Sequence, residues 1–296
     1  VKTARHAMAI DEIRSSFTVT RWKNAGSHPD AREIWFPGCH SDVGGGYANC
    51  DLADGALLWM MEEAGKAGLS LRQGAQSQLL PKPLGVMHNS YKGMFCKLRS
   101  RPRNLPAMIP ANAGLFHPSA LQRQTASPIA YPPYHPTRLL GVGESCTVEV
   151  FADTRWNATG IYLPANHAFT FSATGEWLDS KDACDWKGAE DGKFTVGDAF
   201  RLPLALLGKS EWLVPKDRLL DIYGTKRVEK YPWFIMVGAI ANDGTGSANT
   251  VKNDGSPVPH QYVKLPNYET NPLVVDRPGY LYCFPNDAWA FYHNNH

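Results

Sequence analysis

None of the six cysteines (Cys39, Cys50, Cys96, Cys146, Cys184, Cys283) stands in a C-x-x-C pair. That spacing argues against a structural zinc site and supplies no disulfide framework. Free thiols made in a reducing cytoplasm are expected, with a bridge through Cys146 or Cys184 left open. No apolar run approaches the length of a membrane span. Charge of one sign is lacking as well: 30 Lys and Arg face 28 Asp and Glu, a formal net charge of +2. The chain has no basic bias of the kind that nucleic-acid binding requires. It also opens without an initiator methionine or a signal peptide, so it is expected to be a piece of something longer.

What is present is the composition of a soluble globular protein, 296 residues with 43% hydrophobic and 20% charged side chains. That length has room for two domains with separate cores. The most organised stretch runs from Arg32 to Tyr47. Ile34 to Phe36 reads as a short buried strand ending at Pro37-Gly38. A polar turn comes next with His40, Ser41 and Asp42, then Gly44 to Gly46, and then a helical pattern from about Leu52 to Ala67. Catalytic side chains of α/β folds sit at the carboxyl ends of strands. A carboxylate in such a turn suits the orienting of a catalytic histidine. The plain alternative is that Asp42 only caps a turn.

Upstream, apolar positions at Ala4, Ala7, Met8, Ile10, Ile13 and Phe17 suit a helix packed on a sheet, with Asp11 and Glu12 on a solvated face. Residues 72–114 are rich in Pro, Gly, Arg and Asn and have no clean period. They read as a long excursion that covers a site. Pro118 can open the next helix, which leaves His117 extended at its mouth as either a cap or a catalyst.

These pieces resemble one family. Arg5-His6-Ala7-Met8-Ala9-Ile10-Asp11-Glu12, Ile34 to Tyr47 with its H-S-D-V-G-G-G-Y core, His117 to Arg123 and Tyr134-His135-Pro136 are similar to the α/β-hydrolases that include the type VI secretion phospholipase effectors. In that family a serine in a G-x-S-x-G elbow is the nucleophile, followed in order by the acid and the histidine. The resemblance puts the acid on Asp42 and the base on His117, with Asp11 as runner-up acid. No G-x-S-x-G occurs in the sequence; Gly143-Glu144-Ser145 and Gly208-Lys209-Ser210 lack the closing glycine. The nucleophile is therefore expected upstream of Val1, with the rest of the hydrolase domain as a needed partner. This stretch alone is expected to be inactive, since Asp42 and His117 would have no serine to activate.

From about Cys146 the pattern changes to alternating runs: Thr147–Phe151, Ala168–Ala173, Phe234–Ile240 and Tyr280–Phe284, separated by turn residues. They indicate an all-β sandwich. The Pro-rich stretch from Pro128 to Gly143 is a suitable linker, giving domains at 1–143 and 144–296. Asp287 and the pair Asn294-Asn295 bracket a six-residue loop whose side chains offer only oxygen. With the Phe291 carbonyl they could present a Ca²⁺ ion with ligands of the type it takes. The alternative is an Asx-rich surface turn. Among the tryptophans, Trp177, Trp186, Trp212 and Trp233 read as core, and Trp289 as the exposed loop tip.

Residues 156–296 resemble the galactose-binding β-sandwich of the bacterial galactophilic calcium lectins. The resemblance rests on Trp156 to Gly160, Ala173-Thr174-Gly175-Glu176-Trp177, Met236 to Ile240 and Gly279-Tyr280-Leu281 leading into Asn286-Asp287. It makes Asp287, Asn294 and Asn295 calcium ligands, with a backbone carbonyl near Ser180 as a further one. It also places Trp186 and Asp191 near a sugar-contacting loop. The combined expectation is a partial α/β-hydrolase followed by a lectin-like β-sandwich. Its function would be that of an antibacterial phospholipase effector, made in a bacterial cytoplasm and secreted into the envelope of a target cell. Its implied partners are phospholipid substrate, a carbohydrate ligand, a secretion spike protein and an immunity protein. The alternatives are a calcium-dependent carbohydrate-binding module, or an adaptor with a non-catalytic scaffold at its amino end.

Overall fold

In a computed structural model of the chain, the described residues are 1–22, 25–97, 99–126, 134, 136–179, 182–189, 226–242, 252, 255–289 and 292–296. They divide into two units. The first comprises Val1–Phe95, Ser100–Arg138 and Asn242–Pro259; the second comprises Cys96–Arg99, Leu139–Ala241 and His260–His296. The long crossing between units thus falls at Leu139, and a second excursion returns residues 242–259 to the first unit.

The first unit is built on β2 (Ala31–Phe36), which pairs in parallel with β1 (Ala4–Ala9) in the register Ala4↔Ala31 to Ala9↔Phe36. Ile34, Trp35 and Phe36 are buried in succession, as on a strand covered on both faces. On the far side of β2, His117 N donates to Trp35 O at 2.8 Å, and Phe116 forms a parallel bridge to Trp35. Beyond β2 the chain forms the one-turn helix α1 (His40–Gly44), then α2 (Ala53–Lys66), and later α3 (Pro118–Thr125). Ala56 and Trp59 lie one turn apart on α2 and pack on Ile34 and Phe36, alternate residues of one strand face.

The helix expected over residues 2–17 is not formed. Ala4–Ala9 is a strand, and Met8, Ala9 and Ile10 are buried in succession, while Ala4, Ala7, Ile13 and Phe17 are only partly buried. Sheet pairing with β2 satisfies this backbone, and tertiary burial overrides the local spacing. Glu12 is not on a solvated face either, being fully buried. Residues 72–114 are irregular, with three short 3₁₀ turns at Gln76–Gln78, Gly93–Lys97 and Pro110–Leu115.

The second unit holds a four-stranded sheet in the order β3-β10-β7-β8, formed by β3 (Asn157–Leu163), β7 (Met236–Asn242), β8 (Gln261–Lys264) and β10 (Gly279–Pro285). β3 and β10 run antiparallel with an irregularity between Tyr280 and Tyr282; β7 and β8 are also antiparallel. Two antiparallel ribbons accompany the sheet: β4 (Ala168–Phe169) with β9 (Leu273–Val274), and β5 (Trp177–Asp179) with β6 (Asp182–Cys184). No α-helix occurs among the described residues of this unit. Its core gathers Leu163, Trp177, Trp186, Ile240, Leu265 and Leu281. Val148 and Val150 pack against it, yet Thr147–Phe151 pairs with no strand among the described residues. The alternation there records packing without a ladder.

Trp289 is not an exposed tip. It is 7% exposed and stands edge-on to Trp156, with the Arg227 guanidinium 4.6 Å from its ring centre. Trp212 lies outside the described residues. All six cysteines are free thiols.

Candidate active site

The turn after β2 is shaped around Asp42. Gly38 has φ +105°, and a Cβ there would overlap the Asp42 side chain, so only glycine fits. Asp42 is 2% exposed. Its Oδ2 accepts from Cys39 N at 3.0 Å, closing a capping box at the start of α1. The capping role anticipated as the plain alternative is therefore real, and it uses only one of the carboxylate's two oxygens.

The other oxygen meets a histidine from the irregular stretch. Asp42 Oδ1 lies 2.6 Å from His88 Nδ1, and Asp42 Oδ2 also accepts from His88 N at 3.0 Å. The carboxylate thus fixes both the backbone and the ring of His88. Tyr47 stacks on this imidazole, ring centres 3.9 Å apart and planes tilted by 21°. The Tyr47 hydroxyl contacts the Cys39 thiol, which together with burial pushes its pKa up to about 12. The His88 side chain remains 25% exposed.

A second carboxylate ties the two loops together. Glu12 accepts from Ser90 Oγ at 3.0 Å, from His40 N at 3.2 Å, and from Arg14 through N, Nε and Nη2 at 2.7–2.9 Å. Burial alone would raise its pKa; the Arg14 guanidinium and the remaining donors outweigh that and hold it at about 2. One anion therefore anchors the first residue of α1 and a residue two positions beyond His88.

The expected pairing of Asp42 with His117 is not made. His117 is the N-cap of α3, as its position before Pro118 suggests, and its Nδ1 lies 2.7 Å from Ser119 Oγ. Its ring stacks on Phe36 at 4.4 Å, and burial pushes its pKa below the usual histidine value. It borders a cavity of about 210 Å³ walled by Leu52, Trp59, Pro81, Pro83 and Gln122. Asp11, the runner-up acid, faces Tyr134 Oη at 2.6 Å and Gly38 N at 2.7 Å; burial raises its pKa. Among the described residues, no imidazole bonds to it.

His88 escapes a reading of the sequence because nothing periodic surrounds it and 46 residues separate it from Asp42. A signal is nonetheless there. It is the one histidine of residues 72–114, the stretch expected to cover a site.

Of the expected calcium ligands, the structure brings Asp287 and Asn295 together. Asp287 is fully buried; its Oδ1 accepts from Ala288 N at 2.6 Å and its Oδ2 from Asn295 Nδ2 at 3.0 Å. Asn295 Oδ1 is enclosed without a hydrogen-bond partner among the described residues. An orphaned amide oxygen beside a buried carboxylate is a donor set that suits calcium, although the amide here turns its nitrogen to Asp287. Phe291, Ser180 and Asp191 lie outside the described residues, as does the side chain of Asn294. Trp186 is 6% exposed and sits in the core, not on a sugar-binding surface. Among the described residues, no three His, Cys, Asp or Glu side chains form a metal cluster, and no helix is long and apolar enough to cross a membrane.

Residues 1–63 match the family model described as "T6SS, Phospholipase effector Tle1-like, catalytic domain". "Uncharacterized protein YEL023C" of Saccharomyces cerevisiae (strain ATCC 204508 / S288c) is 48% identical over 91 residues. That alignment covers 29% of this chain and 12% of the yeast protein. The chain therefore spans about an eighth of the length of that curated relative. No solved structure matches the chain. Across β1, β2, α1 and most of α2, the stretch that positions Asp42, the chain is similar to the catalytic domain of type VI secretion phospholipase effectors.

Proposed function

We propose that the chain carries the acid and base of a serine esterase acting on phospholipid, with Asp42 as the acid and His88 as the base. The observation that carries this is the 2.6 Å contact between Asp42 Oδ1 and His88 Nδ1. It lies at the carboxyl end of β2, beside the segment similar to phospholipase effectors. A carboxylate on Nδ1 holds the proton there and leaves Nε2 to accept one. The nucleophile is a serine outside these 296 residues, on an elbow that the sequence lacks. His88 Nε2 takes the proton of that serine as its oxygen attacks the ester carbonyl, then returns it to the leaving alcohol. Water repeats the sequence on the acyl-enzyme and releases a fatty acid. The cavity beside His117 combines apolar lining from Leu52, Leu58, Trp59, Pro81 and Pro83 with polar lining from Asp51, Glu62 and Gln122.

In this reading the first unit is part of an α/β-hydrolase and the second a lectin-like β-sandwich that docks the effector on its target, in contact with a delivery spike. The test is fatty-acid release from phospholipid vesicles by the polypeptide that includes the serine elbow. His88→Ala should abolish release while His117→Ala retains most of it. The reverse pattern in folded proteins would sink the assignment.

A second reading, a calcium-dependent carbohydrate module, is favoured by the orphaned Asn295 Oδ1 beside Asp287. It predicts calcium-dependent retention of the chain on immobilised galactose, lost in Asp287→Ala. Retention indifferent to chelator, or none, would exclude it.

A further inference from the structure

Within the first unit, a small cavity is lined by three arginines, Arg21, Arg101 and Arg103, together with Thr18 and Trp35. Among the described residues, no aspartate or glutamate lines it. We propose that this cavity binds an oxyanion of the phosphate class.

Arg103 is the reason. It is only 6% exposed, and its hydrogen bond runs from Nε to Ala9 O at 3.1 Å. Among the described residues, its terminal nitrogens Nη1 and Nη2 make no hydrogen bond or ion pair. A buried guanidinium is ordinarily retained only when an anion and hydrogen bonds compensate its lost hydration. Burial pulls the pKa of Arg103 down to about 10; the Glu12 and Asp11 carboxylates oppose that and the positive charges of Arg101 and Arg14 add to it, and the group remains charged at neutral pH.

The neighbouring cations set the sign of the cavity. Arg101 Nη2 donates to Asn104 Oδ1 at 2.7 Å and to Val258 O at 2.9 Å. Arg21 is paired with Glu33 at 2.7 Å. Three arginines thus line one cavity, and among the described residues the terminal nitrogens of the most deeply buried one, Arg103, make no hydrogen bond or ion pair. A planar guanidinium fork matches two oxygens of a phosphate, and a doubly charged ion suits such a cluster better than chloride or a single carboxylate.

The enclosed volume is about 20 Å³, room for one oxygen-sized group. One phosphate oxygen enters toward Arg103 while the rest of the ion sits at the open mouth. The ion can therefore be inorganic phosphate or the phosphodiester of a lipid headgroup. The site does not rest on the esterase reading, since neither Asp42 nor His88 lines it.

The test is calorimetric titration of the 296-residue chain at constant ionic strength with three probes: inorganic phosphate, short-chain phosphatidylglycerol below its micelle concentration, and the matching phosphate-free diacylglycerol. Saturable 1:1 binding of either phosphate probe, with none of the diacylglycerol, is the expected result. Binding of both marks a site open to free phosphate, and binding of the lipid alone marks a headgroup site. Arg103→Gln should weaken binding at least tenfold; Arg101→Gln, at the less buried rim, should also weaken it and decides the matter if Arg103→Gln does not fold. A folded wild-type chain that binds neither phosphate probe, or folded variants that bind as tightly as wild type, would overturn the proposal.

Discussion

Replacing Asp42 by asparagine changes one atom and almost no volume, and the surrounding donors dictate how the amide must sit. The carboxylate accepts from three donors: His88 Nδ1 at 2.6 Å on Oδ1, and Cys39 N and His88 N at 3.0 Å on Oδ2. An amide has one oxygen. If that oxygen stays with the two backbone donors, the NH₂ group faces Nδ1, which must then become an acceptor and pass its proton to Nε2. The opposite orientation sets NH₂ against two N–H groups and loses two hydrogen bonds, each contributing about 1–2 kcal/mol. The first arrangement is therefore preferred, and it removes the base, because an Nε2 that carries a proton cannot take one from an alcohol. The wrong tautomer lowers turnover by roughly 10⁴-fold in the Ser-His-Asp template, equivalent to about 5.5 kcal/mol of barrier. Stability should fall by only about 1–3 kcal/mol. The assay is fatty-acid release by the serine-bearing polypeptide, read as separate kcat and KM, with urea unfolding run on the same variant. A folded Asp42→Asn enzyme retaining activity within about tenfold of wild type would refute the reasoning.

The same contacts set other outcomes. Glu12 is held at about 2 against an ordinary value of 4.5. A depressed carboxylate stabilises the fold above its unfolded pKa and loses that contribution as pH falls toward 2. Glu12→Gln should therefore lower stability at neutral pH by about 3 kcal/mol and flatten the decline between pH 4.5 and 2, measured by urea unfolding across that window. Gly38→Ala places a side chain against Asp42 at a positive φ; a loss of about 2 kcal/mol or more is expected, with loss of fatty-acid release, checked by thermal unfolding beside the vesicle assay. Trp289→Ala should cost about 3–5 kcal/mol because the ring is buried against Trp156; a change within about 0.5 kcal/mol would return Trp289 to the surface. His117→Ala removes the cap on α3 and a stacked ring, so thermal unfolding should show a loss of about 1–3 kcal/mol.

The local parts of the site are legible in the sequence. The strand at Ile34–Phe36, the break at Pro37-Gly38 and the helix after Leu52 all come from residues adjacent in the chain, whose period or turn chemistry is visible directly. The capping position of His117 is equally local, fixed by the proline after it. β1 does not read as a strand because its six residues are few and alanine-rich. Their strand character comes from pairing with β2, which no local pattern reports. His88 is hidden for a related reason. Its partner is distant in sequence, and the loop that bears it is shaped by bonds to Asp42 and Glu12 rather than by any period of its own. The burial of Trp289 depends on Arg227 and Trp156, residues far from the asparagine-rich loop that suggests exposure.

The central claim is that Asp42 holds the proton on Nδ1 of His88. The direct measurement is a long-range ¹H–¹⁵N correlation spectrum of the histidines in the 296-residue chain, at a pH where the His88 imidazole is neutral. The predicted result is a His88 ring protonated at Nδ1 with a bare Nε2, converting to the Nε2-protonated form in Asp42→Asn. A wild-type His88 ring protonated at Nε2, or one that samples both tautomers freely, would contradict it.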